Sequence, residues 1–155
     1  MSKHITIQII GFAILLVGCS RPGPDVVRFA PTVSGQEATT RGGKDHLVRW
    51  LQRRSDFEIE HQGADSQIKV GFRVATYLAE RRVWLEQEGQ ALPTREVVTK
   101  SFWENGDVLV SNTVTLKAGT NHFSIVTDGN PVDVTPGRPV FLLLDGGIEV
   151  TGAKP

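Results

Sequence analysis

The sequence predicts an all-β fold: an antiparallel β-sandwich wired as a jelly roll or, as second choice, in the immunoglobulin manner. Three observations predict it. Apolar residues recur with period two in short stretches from about residue 45 onward. Clusters of Gly, Asn, Asp and Pro separate those stretches at a spacing that suits about eight strands. No long stretch shows the 3.6-residue period of an amphipathic helix. The length of 155 residues matches one domain, and 39% apolar with 22% charged residues suits a chain able to bury a core.

Residues 1–18 are set aside first, as a processing segment. Lys3 and His4 precede an apolar run from Ile9 to Val17. As a helix that run spans about 14 Å, half of a hydrocarbon core, which fits the apolar region of a signal peptide better than a membrane span. The tetrapeptide Leu16-Val17-Gly18-Cys19 that ends it resembles the lipobox of bacterial lipoproteins. The resemblance implies cleavage before Cys19, a diacylglyceryl group on its thiol, and often a further acyl chain, such as palmitate, on the new amino terminus. Two or more chains make attachment stable, at about 0.8 kcal/mol per buried methylene. It also implies an extracytoplasmic, membrane-anchored protein. Ser20 in place of Asp after the cysteine permits transfer to an outer membrane if the cell is Gram-negative. The alternative is an ordinary secretory signal with an incidental cysteine.

Residues 19–44 read as lipidated cysteine and flexible tether, rich in Pro, Gly, Ser and Thr, with an edge strand at 26–29 as a further option. The sandwich is assigned to 45–155. Asp45 to Gln52 suits a short helix or a first strand. Phe57 and Ile59 alternate with Glu58 and Glu60, and Ile68, Val70, Phe72 and Val74 with their polar or small neighbours. Val83 and Leu85 alternate with Arg82, Trp84 and Glu86 before the turn Glu88-Gly89-Gln90. Val97 to Trp103 reads as a strand, with Asn105-Gly106 as a hairpin signal into Val108-Leu109-Val110. Val114 and Leu116, the turn 117–120, then Phe123 and Ile125 continue the pattern. The continuous run Val140 to Leu144 reads as a strand buried on both faces, followed by Gly146-Gly147 and Ile148-Glu149-Val150.

Over residues 47–150 this succession is similar to accessory β-sandwich domains attached to some prokaryotic envelope glycosyltransferases. The residues that carry the likeness are Val83-Trp84-Leu85 through Gly89, Val114 to Ile125 with its Gly119-Thr120-Asn121 turn, and Arg138 before Val140 to Leu144. The chain departs from that family at Pro136 and Glu88, where an Asp and an Asn are usual, and holds no membrane-embedded transferase module. The likeness implies a jelly roll of the carbohydrate-binding type.

Seventeen basic and seventeen acidic residues give no net charge, and removal of residues 1–18 leaves sixteen against seventeen. Near-neutrality argues against nucleic acid as a partner. The lone Cys19 excludes an internal disulfide framework and thiolate metal clusters. No nucleophile elbow, phosphate loop, zinc helix motif or dinucleotide fingerprint is present, so neither catalytic residues, nor a metal site, nor a cofactor is assigned. His46, His61 and His122 read as surface or turn histidines. Glu58 and Glu60 share a strand face as solvated neighbours, and Asp128-Gly129-Asn130 with Asp133 reads as a plain turn.

The candidate ligand-binding residues are Trp84, Arg82 and Glu86. With Val83 and Leu85 inward, alternation sets an indole, a fork of donors and an acceptor on the opposite face. Sugars bind to such sets. The competing readings bury Trp84 beneath a crossing loop, and leave Trp50 and Trp103 as core. The sequence thus points to a non-catalytic, lipid-anchored binding module with a glycan as partner, or to a structural or assembly subunit that docks on another envelope protein.

Overall fold

A computed structural model describes residues 25–77, 79–98, 101–128 and 139–152. Residues 1–24, with the lipobox and Cys19, lie outside the described residues, as do Arg138, Pro136 and the Asp133 part of the turn at 128–133. The described chain is all-β. Its strands are β1 (Val26–Phe29), β2 (Glu37–Arg41), β3 (Lys44–Leu51), β4 (Arg54–His61), β5 (Ser66–Thr76), β6 (Arg81–Gln87), β7 (Gln90–Val98), β8 (Val108–Leu116), β9 (Gly119–Thr127) and β10 (Phe141–Gly152). A 3-10 turn, Phe102–Glu104, stands between β7 and β8.

The strands form two five-stranded sheets, ordered β1-β4-β9-β6-β7 (sheet A) and β2-β3-β10-β5-β8 (sheet B). Every strand pair within the sheets is antiparallel. The two sheets stack as a jelly-roll sandwich. The core between them takes Phe57 and Ile59 of β4, Phe123 and Ile125 of β9, and Val83 and Leu85 of β6 from sheet A. Leu51 of β3, Phe141 and Leu143 of β10, and Val70, Phe72 and Val74 of β5 meet them from sheet B. Phe57 and Phe123 stack at 5.4 Å. Burial of each such side chain contributes about 1.5–3 kcal/mol, and this is what sets the register of the sheets.

The inward residues alternate with a second set on the outer face of sheet B. Val48, Ala75, Leu142 and Leu144 form a smaller apolar cluster there, closed by Phe102 from the 3-10 turn. Phe141 to Leu144 are therefore all buried, as the unbroken apolar run predicts, because sheet B is covered on both sides at that end.

Four expectations need correction. The stretch read as tether is in large part sheet: the optional edge strand at 26–29 forms as β1 and pairs with β4, with Phe29 packed 5.9 Å from Phe57, and β2, which was not expected, pairs with β3. Gly42 and Gly43, read as linker glycines, hold φ of 57° and 76° and turn the β2–β3 hairpin. Of the two options left open for Asp45 to Gln52, the strand is the one that forms, as β3. The strand expected over 97–103 ends at Val98. Asn105-Gly106 makes no hairpin: Asn105, at φ 56°, caps the 3-10 turn on a connection that crosses from sheet A to sheet B. Finally, the two expected strands about Gly146-Gly147 are one strand, β10, with a register shift between Leu143 and Ile148, where Asp145 (φ 38°) and Gly147 (φ 91°) absorb the irregularity.

Candidate functional site

The outer face of sheet A is polar, and its polarity is organised. Since Phe57, Phe123 and Leu85 turn inward, their neighbours Asp56, Ser124 and Glu86 lie in one row across β4, β9 and β6. Arg54, Val126, Trp84 and Arg95 form the next row, continuing onto β7.

Hydrogen bonds join the two rows. The Arg54 guanidinium donates to Ser124 Oγ at 2.9 Å, and Ser124 Oγ donates to Asp56 Oδ1 at 2.6 Å. Arg54 also donates to Glu86 Oε2 at 2.8 Å, while Glu86 Oε1 accepts the Trp84 indole N–H at 3.1 Å. Trp84 is half-buried, and the Arg95 guanidinium lies over its ring, 5.3 Å from the centroid. Each of these groups is thereby held in one orientation before any ligand arrives, which lowers the ordering cost of binding.

Beside this ladder runs a groove of about 610 Å³, lined among others by Arg28, Arg54, Asp56, Glu58, Glu88 and His122. Glu58 lies 3.3 Å from His122 Nδ1, and Glu60 accepts from Thr120 at 2.8 Å and lies 3.8 Å from Arg28. The two glutamates do share the outer face of β4, as alternation predicts, and each answers to a different partner. The groove therefore offers both donors (Arg28, Arg54) and acceptors (Asp56, Glu58, Glu88), a combination suited to hydroxyl groups.

Of the three predicted ligand residues, Trp84 and Glu86 belong to the ladder and touch one another. Arg82 stands on the same face but outside the ladder: its side chain is exposed, and its backbone N–H is held by Asp128 Oδ1 at 2.8 Å. Sequence reasoning missed Arg54, Asp56, Ser124 and Arg95. Arg54 and Asp56 carried a usable signal, since they precede Glu58 on the polar side of the same alternation. Ser124 and Arg95 enter only through cross-strand register.

The histidines correct the sequence analysis in one case. His122 is exposed, but His61 is buried: its Nδ1 lies 2.7 Å from Asp25 Oδ1 and its Nε2 2.9 Å from the Ala64 carbonyl. The hydrogen bond to Asp25, aided by that to Ala64, raises the His61 pKa above the usual histidine value. Among the described residues, no cluster of three or more His, Cys, Asp or Glu is arranged to hold a metal ion.

The outer face of sheet B carries aromatics of its own. Trp103 is 51% exposed beside buried Phe102, and exposed Tyr77 meets half-buried Trp50 edge-on at 5.4 Å.

No family model and no curated protein matches the chain. Among solved structures, the chain is similar to a Podospora anserina GH26-CBM35 β-(1,4)-mannanase, with 15% identity and a TM-score of 0.51. The match covers 84% of this chain and spans 28% of the mannanase chain. It is also similar to a CBM35 from Paenibacillus barcinonensis, with 16% identity, a TM-score of 0.46, and coverage of 84% of this chain and 100% of that one. A family 35 carbohydrate-binding module from Clostridium thermocellum gives 12% identity, a TM-score of 0.45 and the same coverages. At these identities the likeness is one of fold: this chain is a β-sandwich of the kind found among proteins that contain carbohydrate-binding modules.

Proposed function

We propose that this protein is a lipid-anchored, extracytoplasmic glycan-binding module, without catalysis, whose ligand lies along the outer face of sheet A. One observation carries the reading: the continuous polar ladder Asp56–Ser124–Arg54–Glu86–Trp84, fixed in place alongside an open groove. A sugar chain in that groove meets Arg54 and Asp56 through its hydroxyls, and one that extends past it along the same face reaches Glu86, Trp84 and Arg82. The fold shared with the mannanase that carries a CBM35 supports the same reading. Cys19 is the proposed lipid attachment point.

The test is a panel of soluble polysaccharides run against the full chain by affinity electrophoresis and calorimetry. Arg54→Ala removes the centre of the ladder and Trp84→Ala its end, and each lowers affinity about tenfold or more for whichever polymer binds, since hydrogen bonds to charged groups contribute about 1.5–3 kcal/mol. Absence of retention by every polymer, or retention indifferent to both variants, overturns the proposal. A second reading, docking on another envelope protein, is favoured by the exposed Trp103 on sheet B. Loss of a co-purifying envelope protein on Trp103→Ala, with Trp84→Ala silent, selects it.

A further inference from the structure

The polar face of sheet A is divided by charge. Toward β1 and β4 the acids Asp56, Glu58 and Glu60 stand close to Arg54, His122 and Arg28 respectively. Toward β6 and β7 the balance reverses: β6 presents Arg82, Trp84 and Glu86 outward and Arg95 of β7 stands opposite Trp84, while the Glu86 acid is taken by Arg54. The Glu86 carboxylate is already partnered, since Arg54 donates to one oxygen at 2.8 Å and the Trp84 N–H to the other at 3.1 Å, and each oxygen keeps a second lone pair for a hydroxyl.

Arg82 and Arg95 are both exposed, and among the described residues neither guanidinium meets an acid. Asp128 Oδ1 bonds the Arg82 backbone N–H and not its guanidinium. Arg95 lies over the indole of its cross-strand partner Trp84, which Glu86 in turn holds still. A guanidinium laid on an aromatic face keeps its N–H groups along its rim, where they match the two oxygens of a carboxylate or phosphate. Trp84 therefore serves here as the seat of Arg95, in addition to any contact of its own with a sugar ring.

Resting on the glycan reading above, we infer that the Trp84 end of this face selects an acid-bearing glycan, with Arg95 and Arg82 holding a carboxylate or phosphate of the polymer while Arg54 and Glu86 take neighbouring hydroxyls. The charge segregation makes the claim directional. A neutral chain leaves two exposed cations unused, whereas an anionic chain neutralises them without burying any charge unpaired.

The experiment pairs each acidic polymer with a neutral counterpart: polygalacturonate against its methyl ester, and phosphomannan against unphosphorylated mannan, all with the full chain. The expected result is at least one acidic polymer bound about tenfold or more tighter than its counterpart, with the difference shrinking as salt is raised. Arg95→Gln and Arg82→Gln, both surface changes, each narrow that difference, and circular dichroism confirms that the variants fold. Equal binding within both pairs, or a difference that both variants leave intact, overturns the inference while the glycan reading stands. Equal binding of poly-L-glutamate also overturns it, by showing an attraction to anions without regard to sugar. If no polymer binds at all, the glycan reading falls and this inference with it.

Discussion

Asp107 fastens three segments at one carboxylate. Arg41, at the end of β2, reaches it at 3.2 Å and Arg73, on β5, at 2.8 Å, while Arg41 also lies over the Phe102 ring at 4.6 Å. Burial pushes the Asp107 pKa up, but the hydrogen bond from Arg73 and the charge of Arg41 more than offset that, and the net value is below the usual carboxylate range. The stability it contributes is therefore present above the unfolded pKa of about 3.9 and is lost as pH falls through the lower folded value. Asp107→Ala is expected to cost about 1–3 kcal/mol in urea unfolding at pH 7, chiefly because it takes the carboxylate from the largely buried Arg41, which is left with the Phe102 carbonyl, whereas the exposed Arg73 turns to water. His61 runs the opposite way. Its raised pKa means that the Asp25 contact contributes fully below the unfolded value of about 6.5 and fades as pH rises through the folded one. Asp25→Asn should flatten the stability–pH curve of the full chain across that interval, and a curve as steep as that of the wild-type chain would refute the pairing. Single residues were unevenly legible in the sequence. The face on which Trp84 lies followed from period two alone, whereas its cover by Arg95 depends on a β6–β7 register with a shift between Trp84 and Glu86 that no local pattern announces. His61 sits on the inward phase of β4, beside Phe57 and Ile59, and that phase was the signal for its burial.

Strands that alternate strongly, such as β4, β5 and β6, could be placed from sequence because one face of each must be dry. The strands at one margin of each sheet could not. β1 has only four residues, enough to offer an edge strand as an option but not to fix one, and β2 reads Glu-Ala-Thr-Thr-Arg, with too little apolar content to separate it from a linker; what orders them is pairing to β4 and β3. The 3-10 turn was hidden for a related reason, since Phe102 and Trp103 follow β7 closely enough to read as more of the same strand, whereas the chain changes sheets there. That turn has a measurable role. Phe102→Ala should cost about 3–5 kcal/mol, as much as Phe72→Ala in the main core, because Phe102 is fully buried on the outer cluster of sheet B. A surface-like cost below about 0.5 kcal/mol would show that the turn is not packed on that sheet.

The molecule combines a sandwich with an N-terminal segment read from sequence only. If Cys19 carries lipid, Cys19→Ser leaves the precursor uncleaved and moves the protein from the detergent to the aqueous phase on partitioning; unchanged processing refutes the assignment. The fold class was legible because periodicity is local and repeated many times. The face that carries the proposed site was legible at β6 and β4 taken singly, but their union was not, because that site is assembled from four strands far apart along the chain. The same non-local wiring bears on biosynthesis. β10, the last described strand, lies between β3 and β5 in the middle of sheet B. A chain emerging amino end first thus leaves a slot flanked by two unsatisfied backbone ladders until residues 141–152 arrive, and a product stopped short of them would be sticky and prone to capture by chaperones or proteases.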